Sequence, residues 1–330
     1  MNDVKISIII PYYNVNKAYF DQCFKSIRVQ SFIDYEVIIV NDGSSEEYKK
    51  YLDAISLTDT RFKVFHQENR GVSNARNKAL SLAIGKTICF VDADDYVAPW
   101  MLRDLWNVYS HHDVDAVVSC YKATDRDDMC FVHNDNVIQM MSSEQLKNIS
   151  IIGMNCNPGN NGYISAGPVA VLFSTELAKK IKFSPEIKYM EDVIWNYKYY
   201  CNCKNIAFLN ECIYAYRQNN VSATHTYKLD ILKEREKSLA VINNLLTCDN
   251  EWYALRVLAN YAVCCKCIMQ TNEIEGFFNR LKIVKNFGNK GLWNSYKKRG
   301  IARNWDRKYK IKRILAVLGI LPLLYLKKVK

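Results

Sequence analysis

The chain has 330 residues, 49% of them hydrophobic and 24% charged, and carries a net charge of +11. This balance excludes a disordered chain and leaves room for one large domain or two smaller ones. The charge sits at one end: residues 290–330 hold 13 Lys/Arg against one acid, Asp306, while the other 289 residues hold 32 Lys/Arg and 33 Asp/Glu. A near-neutral body excludes a nucleic-acid-binding protein with a basic surface, and the basic tail is of the kind that seeks an anionic surface.

Taken in chain order, Met1–Lys5 shows no signal-peptide pattern, and the apolar run Ile6–Ile10 is too short for a signal sequence and reads as a strand. Short Val/Ile/Phe-rich runs predict strands over Lys5–Pro11, Tyr35–Asn41, Phe62–His66, Thr87–Val91 and Ala116–Cys120. Each is apolar throughout, as strands covered on both faces are. Amphipathic stretches between them predict helices over Lys17–Ser31, Glu46–Ile55, Val72–Ile84 and Pro99–His111. Asp42–Ser45 offers caps to the second helix, and Gly85 closes the third. This alternation predicts an α/β fold with a doubly wound, mostly parallel sheet and helices on both faces.

Past Tyr121 the pattern changes. Asp125–Asp128 reads as a charged turn, and Asn155–Gly167, rich in Asn and Gly, as a long functional or mobile loop. Lys188–Tyr200 reads as a helix and Ile206–Leu209 and Ile213–Tyr216 as short strands, while Leu229–Leu246, Glu251–Gln270 and Glu273–Phe287 show helical periodicity. The predicted division is an α/β domain over 1–227, a helical region over 228–304 and a basic, apolar tail over 305–330. In that tail, the 13 apolar residues Ile314–Leu326 lie between Lys308–Arg313 and Lys327–Lys328. The run is short of the roughly 20 residues that span a bilayer. It fits a segment lying in the interface of an anionic membrane, or a terminal helix docked on the core, though a docked helix needs no such charge around it.

Twelve cysteines without a secretory signal imply a reducing compartment and no disulfides. Cys201-Asn202-Cys203 and Cys264-Cys265-Lys266-Cys267 lack the paired spacing of a zinc site and read as buried small hydrophobes.

The chemistry concentrates at strand ends. Ile88-Cys89-Phe90-Val91-Asp92-Ala93-Asp94-Asp95 runs from an apolar strand into three carboxylates. Clustered acids repel one another and cost free energy unless a cation or donors answer them. Mg²⁺-type ions take one or two carboxylates and leave positions for phosphate oxygens, and open α/β sheets bind ligands at the carboxyl ends of their strands. A solvated turn is the other reading of this run. No G-x-G-x-x-G follows the first strand and no G-x-x-x-x-G-K-[ST] occurs, which weighs against nicotinamide dehydrogenases and P-loop NTPases. The first strand ends instead in Pro11-Tyr12-Tyr13-Asn14 and the second in Val40-Asn41-Asp42-Gly43-Ser44-Ser45. Together these ends offer an aromatic surface and a carboxylate, able to stack on a base and accept its N–H; for Asp42 an N-cap on the next helix is equally open. Glu68–Asn77 opens a helix with polar and basic residues, as suits an anion. Met190-Glu191-Asp192 opens another with two acids, either complementing the helix dipole or supplying a general base.

Five of these segments resemble, in order, the motifs of family 2 glycosyltransferases of the GT-A fold, the group that builds bacterial surface polysaccharides. They are SIIIPYYN at Ser7–Asn14, VNDGSS at Val40–Ser45, NRGVSNARN at Asn69–Asn77, FVDADD at Phe90–Asp95 and MED at Met190–Asp192. The resemblance covers about the first 225 residues. It implies that Pro11, Tyr13 and Asp42 hold the nucleotide base, most often uracil, with Asn69 and Arg76 lining the nucleotide side. Asp92 would meet the ribose or the metal shell, and Asp94, last of the D-x-D, would bind Mn²⁺ or Mg²⁺ on the diphosphate. His225 would reach the diphosphate or the metal, and Asp192 would take the acceptor's proton.

The expected activity is inverting, metal-dependent transfer of one sugar from a nucleotide-diphosphate donor, a UDP-sugar, to a lipid-linked oligosaccharide at the cytoplasmic membrane face. The Q-x-x-R-W segment of processive synthases is absent. Ala166–Phe173 departs from relatives that carry Lys or Trp there. A sugar nucleotidyltransferase and a non-catalytic nucleotide-sugar-binding protein are the alternatives. The first lacks its Gly-rich amino-terminal loop here, and the second leaves Asp92, Asp94 and Asp192 without a use.

Overall fold

The structure is a computed structural model that describes residues 3–125, 131–133, 138–152, 162–218, 229–246, 251–288, 293, 307–317 and 321–325. The chain forms two compact units, Met1–Asn219 and Asn220–Lys330.

The first unit alternates strands and helices through β1 (Ile6–Tyr12), α1 (Lys17–Arg28), β2 (Tyr35–Asp42), α2 (Glu46–Ser56), β3 (Phe62–Gln67), α3 (Val72–Leu82) and β4 (Thr87–Phe90). It continues with β5 (Tyr96–Val97), α4 (Met101–His111), β6 (Ala116–Thr124), β7 (Ile138–Met141), α5 (Ser143–Ile152), β8 (Tyr163–Ile164) and β9 (Val171–Ser174), and closes with α6 (Thr175–Ala178), α7 (Glu191–Cys201) and β10 (Ile206–Arg217). The sheet runs β3-β2-β1-β4-β9-β6-β10-β5, with β7 on β10 and β8 on β6. β3, β2, β1 and β4 are parallel, as expected. The predicted strand at 116 does not join β4 directly, because β9 lies antiparallel between them. β6 and β10 return to parallel pairing, with register shifts between Phe208 and Tyr214. The two short strands expected at 206 and 213 are one strand bent by that irregularity.

Strand alternation explains why both faces are covered. Ile8, Ile10, Val37 and Ile39 enter one core, and Ile9, Ile38 and Val40 enter the other. Helix α1 begins where Asn16 Oδ1 accepts the Ala18 N–H at 2.9 Å, and it buries Phe20, Cys23 and Ile27 along one face. A buried polar cluster pins the amino ends of the strands. Ser7 Oγ donates to Glu36 at 2.6 Å, and Lys63 Nζ and the Ile84 N–H reach the same carboxylate at 2.8 and 2.9 Å.

The second unit is helical where described: α8 (Asp230–Leu245), α9 (Glu251–Gln270), α10 (Phe277–Gly288), α11 (Arg307–Val317) and a 3₁₀ turn at Leu321–Tyr325. α9 buries Tyr253, Leu255, Leu258, Tyr261, Cys264, Cys265 and Ile268, and the Tyr253 hydroxyl donates to the Leu239 carbonyl of α8 at 2.7 Å. Among the described residues no helix is long and apolar enough to cross a membrane, and no disulfide forms. The cysteines of α9 are buried as expected, whereas Cys201, on the last turn of α7, is exposed.

Candidate active site

Parallel pairing puts the ends of β1, β2 and β4 along one edge of the sheet. At the end of β1 the pleat sends Tyr12 inward, edge-to-face on Phe20 at 4.9 Å, and leaves Tyr13 53% exposed. Pro11 is half-buried beside them.

Asp42, at the end of β2, does not cap α2. Its carboxylate accepts from Gln67 Nε2 at 2.7 Å, the Arg70 N–H at 2.9 Å and the Gly71 N–H at 2.8 Å. It therefore fixes the turn that leads into α3. A carboxylate offers about four acceptor positions, and these bonds to the fold take three of them. Gly43 (φ 76°) passes so close that a Cβ there would stand 2.5 Å from the Asn69 backbone nitrogen, which brings exposed Asn69 beside Asp42.

Arg76, on the second turn of α3, is buried. Its Nη2 lies 3.4 Å from Asp92 Oδ1 and its Nη1 2.9 Å from Glu191 Oε1. Burial opposes its charge, but the carboxylates of Asp92, Glu191 and Asp192 outweigh that and hold it firmly protonated. The Nε–H of Arg76 is buried with no acceptor among the described residues. One guanidinium thus ties the strand-end acids to the acids that open α7. Two further bonds secure the same seam. Asn77 Nδ2 donates to the Phe183 carbonyl at 2.8 Å, and the Phe183 N–H returns to Asn77 Oδ1 at 2.9 Å.

After β4 the three acids part company. Asp92 and Asp94 are partly exposed, and Asp95 is 1% exposed. Asp95 accepts from the Tyr214 hydroxyl at 2.6 Å and from the Arg217 N–H at 2.8 Å. Tyr214 Oη in turn accepts the Asp92 N–H at 3.1 Å, and Arg217 Nε donates to the Asp94 carbonyl at 2.9 Å. Burial, then the charges of Asp92 and Asp94, push the Asp95 carboxyl well above the ordinary range.

At the start of α7, Met190 takes a left-handed conformation (φ 65°), an arrangement that costs free energy and that clusters at functional sites. Asp192 Oδ1 accepts the Val193 N–H at 2.8 Å. The Glu191 carboxyl is pushed up to about 7 by burial and then by Asp192, against the pull of Arg76.

Asp92, Arg76, Glu191 and Asp192 are therefore brought together, Pro11 and Tyr13 end β1, and Asp42 and Asn69 end β2 and its neighbouring turn. His225 lies outside the described residues. Sequence reasoning missed Asp95, Tyr214 and Arg217 as a hold on the acidic loop, because their partners are 119 and 122 positions apart.

The donors offered by Asp92 and Asp94 are hard oxygens gathered in excess of local positive charge, which suits Mg²⁺ or Mn²⁺. A second group, Asp104, His133 and Glu211, has its potential ligand atoms within 4.8 Å of one another, on other elements. It is closed on itself by His133 Nε2 to Asp104 Oδ2 at 2.9 Å, and Trp100 Nε1 donates to Glu211 at 2.7 Å.

The model of the family described as "Glycosyl transferase family 2" matches residues 7–173. Glycosyltransferase GlyG of Streptococcus pneumoniae serotype 4 is 29% identical over 229 residues, 67% of this chain and 73% of that protein. The uncharacterized glycosyltransferase YibD of Escherichia coli K12 is 26% identical over 231 residues, 68% of this chain and 64% of that protein. Among solved structures, S. aureus TarS 1–349 in complex with UDP-GlcNAc superposes with a TM-score of 0.58 at 18% identity, covering 96% of this chain and 88% of that one. The mannosyltransferase PcManGT from Pyrobaculum calidifontis, in complex with GDP-Man and Mn²⁺, gives 0.53 at 14% identity, covering 96% and 87%. At these identities the structural likeness is one of fold. With the motif segments lying on the edge of a mixed α/β sheet of the GT-A kind, the chain is a glycosyltransferase and belongs to glycosyl transferase family 2.

Proposed function

We propose that the protein transfers one sugar, with inversion, from a nucleotide-diphosphate donor to a lipid-linked saccharide acceptor in surface-polysaccharide synthesis. The observation that carries this reading is Arg76, whose one buried guanidinium binds Asp92 of the strand-end acids and Glu191 beside Asp192. A donor-side acid and an acceptor-side acid then share one cleft edge. Pro11, Tyr13 and Asp42 take the base, and Asn69 and Arg76 line the nucleotide side. UDP is the favoured carrier, since TarS, a relative in fold, was solved with UDP-GlcNAc. Asp92 and Asp94 would hold Mn²⁺ or Mg²⁺, with His225 a further ligand of the metal or the diphosphate. When bound, the cation answers the negative charge that develops on the departing diphosphate. Asp192 accepts the proton of the acceptor hydroxyl as its oxygen bonds to the anomeric carbon, and the bond from that carbon to the diphosphate oxygen breaks. One displacement inverts the anomeric configuration.

We place the boundaries near 227 and 305. The tail would hold the enzyme on the cytoplasmic face of the membrane, through an anionic lipid surface, where a lipid-linked acceptor lies. In its described part Ile311 and Ile314 are each 47% exposed and Leu324 58%. They stand among basic residues, which supports an apolar contact flanked by charge. The deciding experiment is Asp94→Asn, measured as UDP release from a panel of UDP-hexoses with Mn²⁺. The expected outcome is loss of metal-dependent turnover at an unchanged thermal midpoint, and a variant of full activity would break the assignment.

A further inference from the structure

Asp192 and Asn196 lie four residues apart on α7, so they share one face of the helix. Both meet the segment 165–168. Asn196 is fully buried, and its Nδ2 donates to the Ala166 carbonyl at 2.8 Å. The Gly167 N–H donates to Ser165 Oγ at 3.0 Å. A Cβ placed on Gly167 would stand 2.7 Å from Asp192 Oδ2, closer than real Cβ contacts come. Gly167 is not among the described glycines of positive φ, so the backbone there makes no demand for glycine. The demand comes from the carboxylate: Asp192 has one oxygen tied to the Val193 N–H and the other in the space that a side chain at 167 would fill.

We propose that Gly167, held in place by Asn196, is a positioning residue that sets where the Asp192 carboxylate stands and hence where the acceptor hydroxyl must arrive. This rests on the reading of Asp192 as the base. The atom that an added methyl would strike is the tip of a side chain, not backbone. The carboxylate therefore yields before the fold does, and the effect falls on transfer rather than on stability. A displacement of about 1 Å in a reacting group costs on the order of 10² in rate.

The test uses the full chain and reads UDP release from UDP-hexoses, UDP affinity with Mn²⁺, and the thermal midpoint. Gly167→Ala is expected to lose roughly 10²-fold in kcat, with UDP affinity and thermal midpoint unchanged, and Asn196→Ala to lose kcat in the same sense but less. Because Gly167 acts through Asp192, the double variant Gly167→Ala/Asp192→Asn is expected to be no slower than Asp192→Asn alone. Wild-type kcat in Gly167→Ala, a loss of UDP affinity as large as the loss of kcat, an unfolded Gly167→Ala protein, or additive losses in the double variant would each overturn the placement. An active Asp192→Asn enzyme would instead remove the base reading itself, so the two failures are distinguishable.

Discussion

Burial assigns the acids of this site to different tasks. Asp95 sees almost no solvent and accepts from Tyr214 and Arg217 through its two oxygens, so it shapes the loop that presents Asp92 and Asp94. Asn at 95 would turn an N–H₂ toward either the Tyr214 hydroxyl or the Arg217 N–H, both of which donate. We expect Asp95→Asn to raise the Mn²⁺ concentration for half-maximal turnover by ~10–100-fold, as loss of a group that orients metal ligands does, which a metal titration of UDP release measures. Glu191 carries a different signature. Its folded carboxyl titrates near 7 against a reference of 4.5, so the folded state holds this proton more tightly than the unfolded one. Its contribution to stability is complete below about 4.5, declines as pH rises toward 7 and is gone above it. Glu191→Gln removes this dependence. The thermal midpoint of the variant relative to wild type should therefore be higher at pH 8 than at pH 5, and an equal offset at both would contradict the sign.

At the scale of elements, the turn between β3 and α3 depends on β2. Asp42→Ala would remove the charged acceptor of the Arg70 and Gly71 N–H groups, and a hydrogen bond to a charged group contributes ~1.5–3 kcal/mol. Destabilisation and loss of UDP affinity are both expected, and Asp42→Asn should retain more of each; thermal unfolding and UDP titration check this. The same elements show how far the amino-acid pattern reaches. β1 to β4 were legible because strands covered on both faces are unbroken apolar runs. The acids after β4 stood out because nothing nearby in sequence neutralises them. β9 gives no sequence signal of its own, since Val171–Ser174 is only four residues long and owes its place to slotting antiparallel between β4 and β6. β10 reads from sequence as two strands because Asn210-Glu211-Cys212 interrupts the apolar run where its register against β6 shifts. Gly167 gave no local signal at all: its importance lies in Asp192, and the segment 165–168 reads from sequence as the end of a loop.

Over the whole molecule, the excess charge is confined to the end of the second unit. The first 289 residues are close to neutral and the last 41 carry the excess. Removing 308–330 should therefore leave UDP release from soluble donors unchanged while abolishing co-sedimentation with phosphatidylglycerol vesicles. Binding by the full chain should also fade as salt rises, as contacts between exposed charges do. The sheet adds a point about order of assembly. Strands β1 to β3 are complete by Gln67, yet the clamp on the acidic loop arrives only with Tyr214 and Arg217. Chains emerge from the ribosome amino end first, so a half-made polypeptide carries β1 to β3 while Asp92, Asp94 and Asp95 sit on a turn whose fastening residues are not yet made. With the aspartates in their proposed roles, competence for transfer is expected last, with the closing strand, and a product truncated before Tyr214 is expected to be inert.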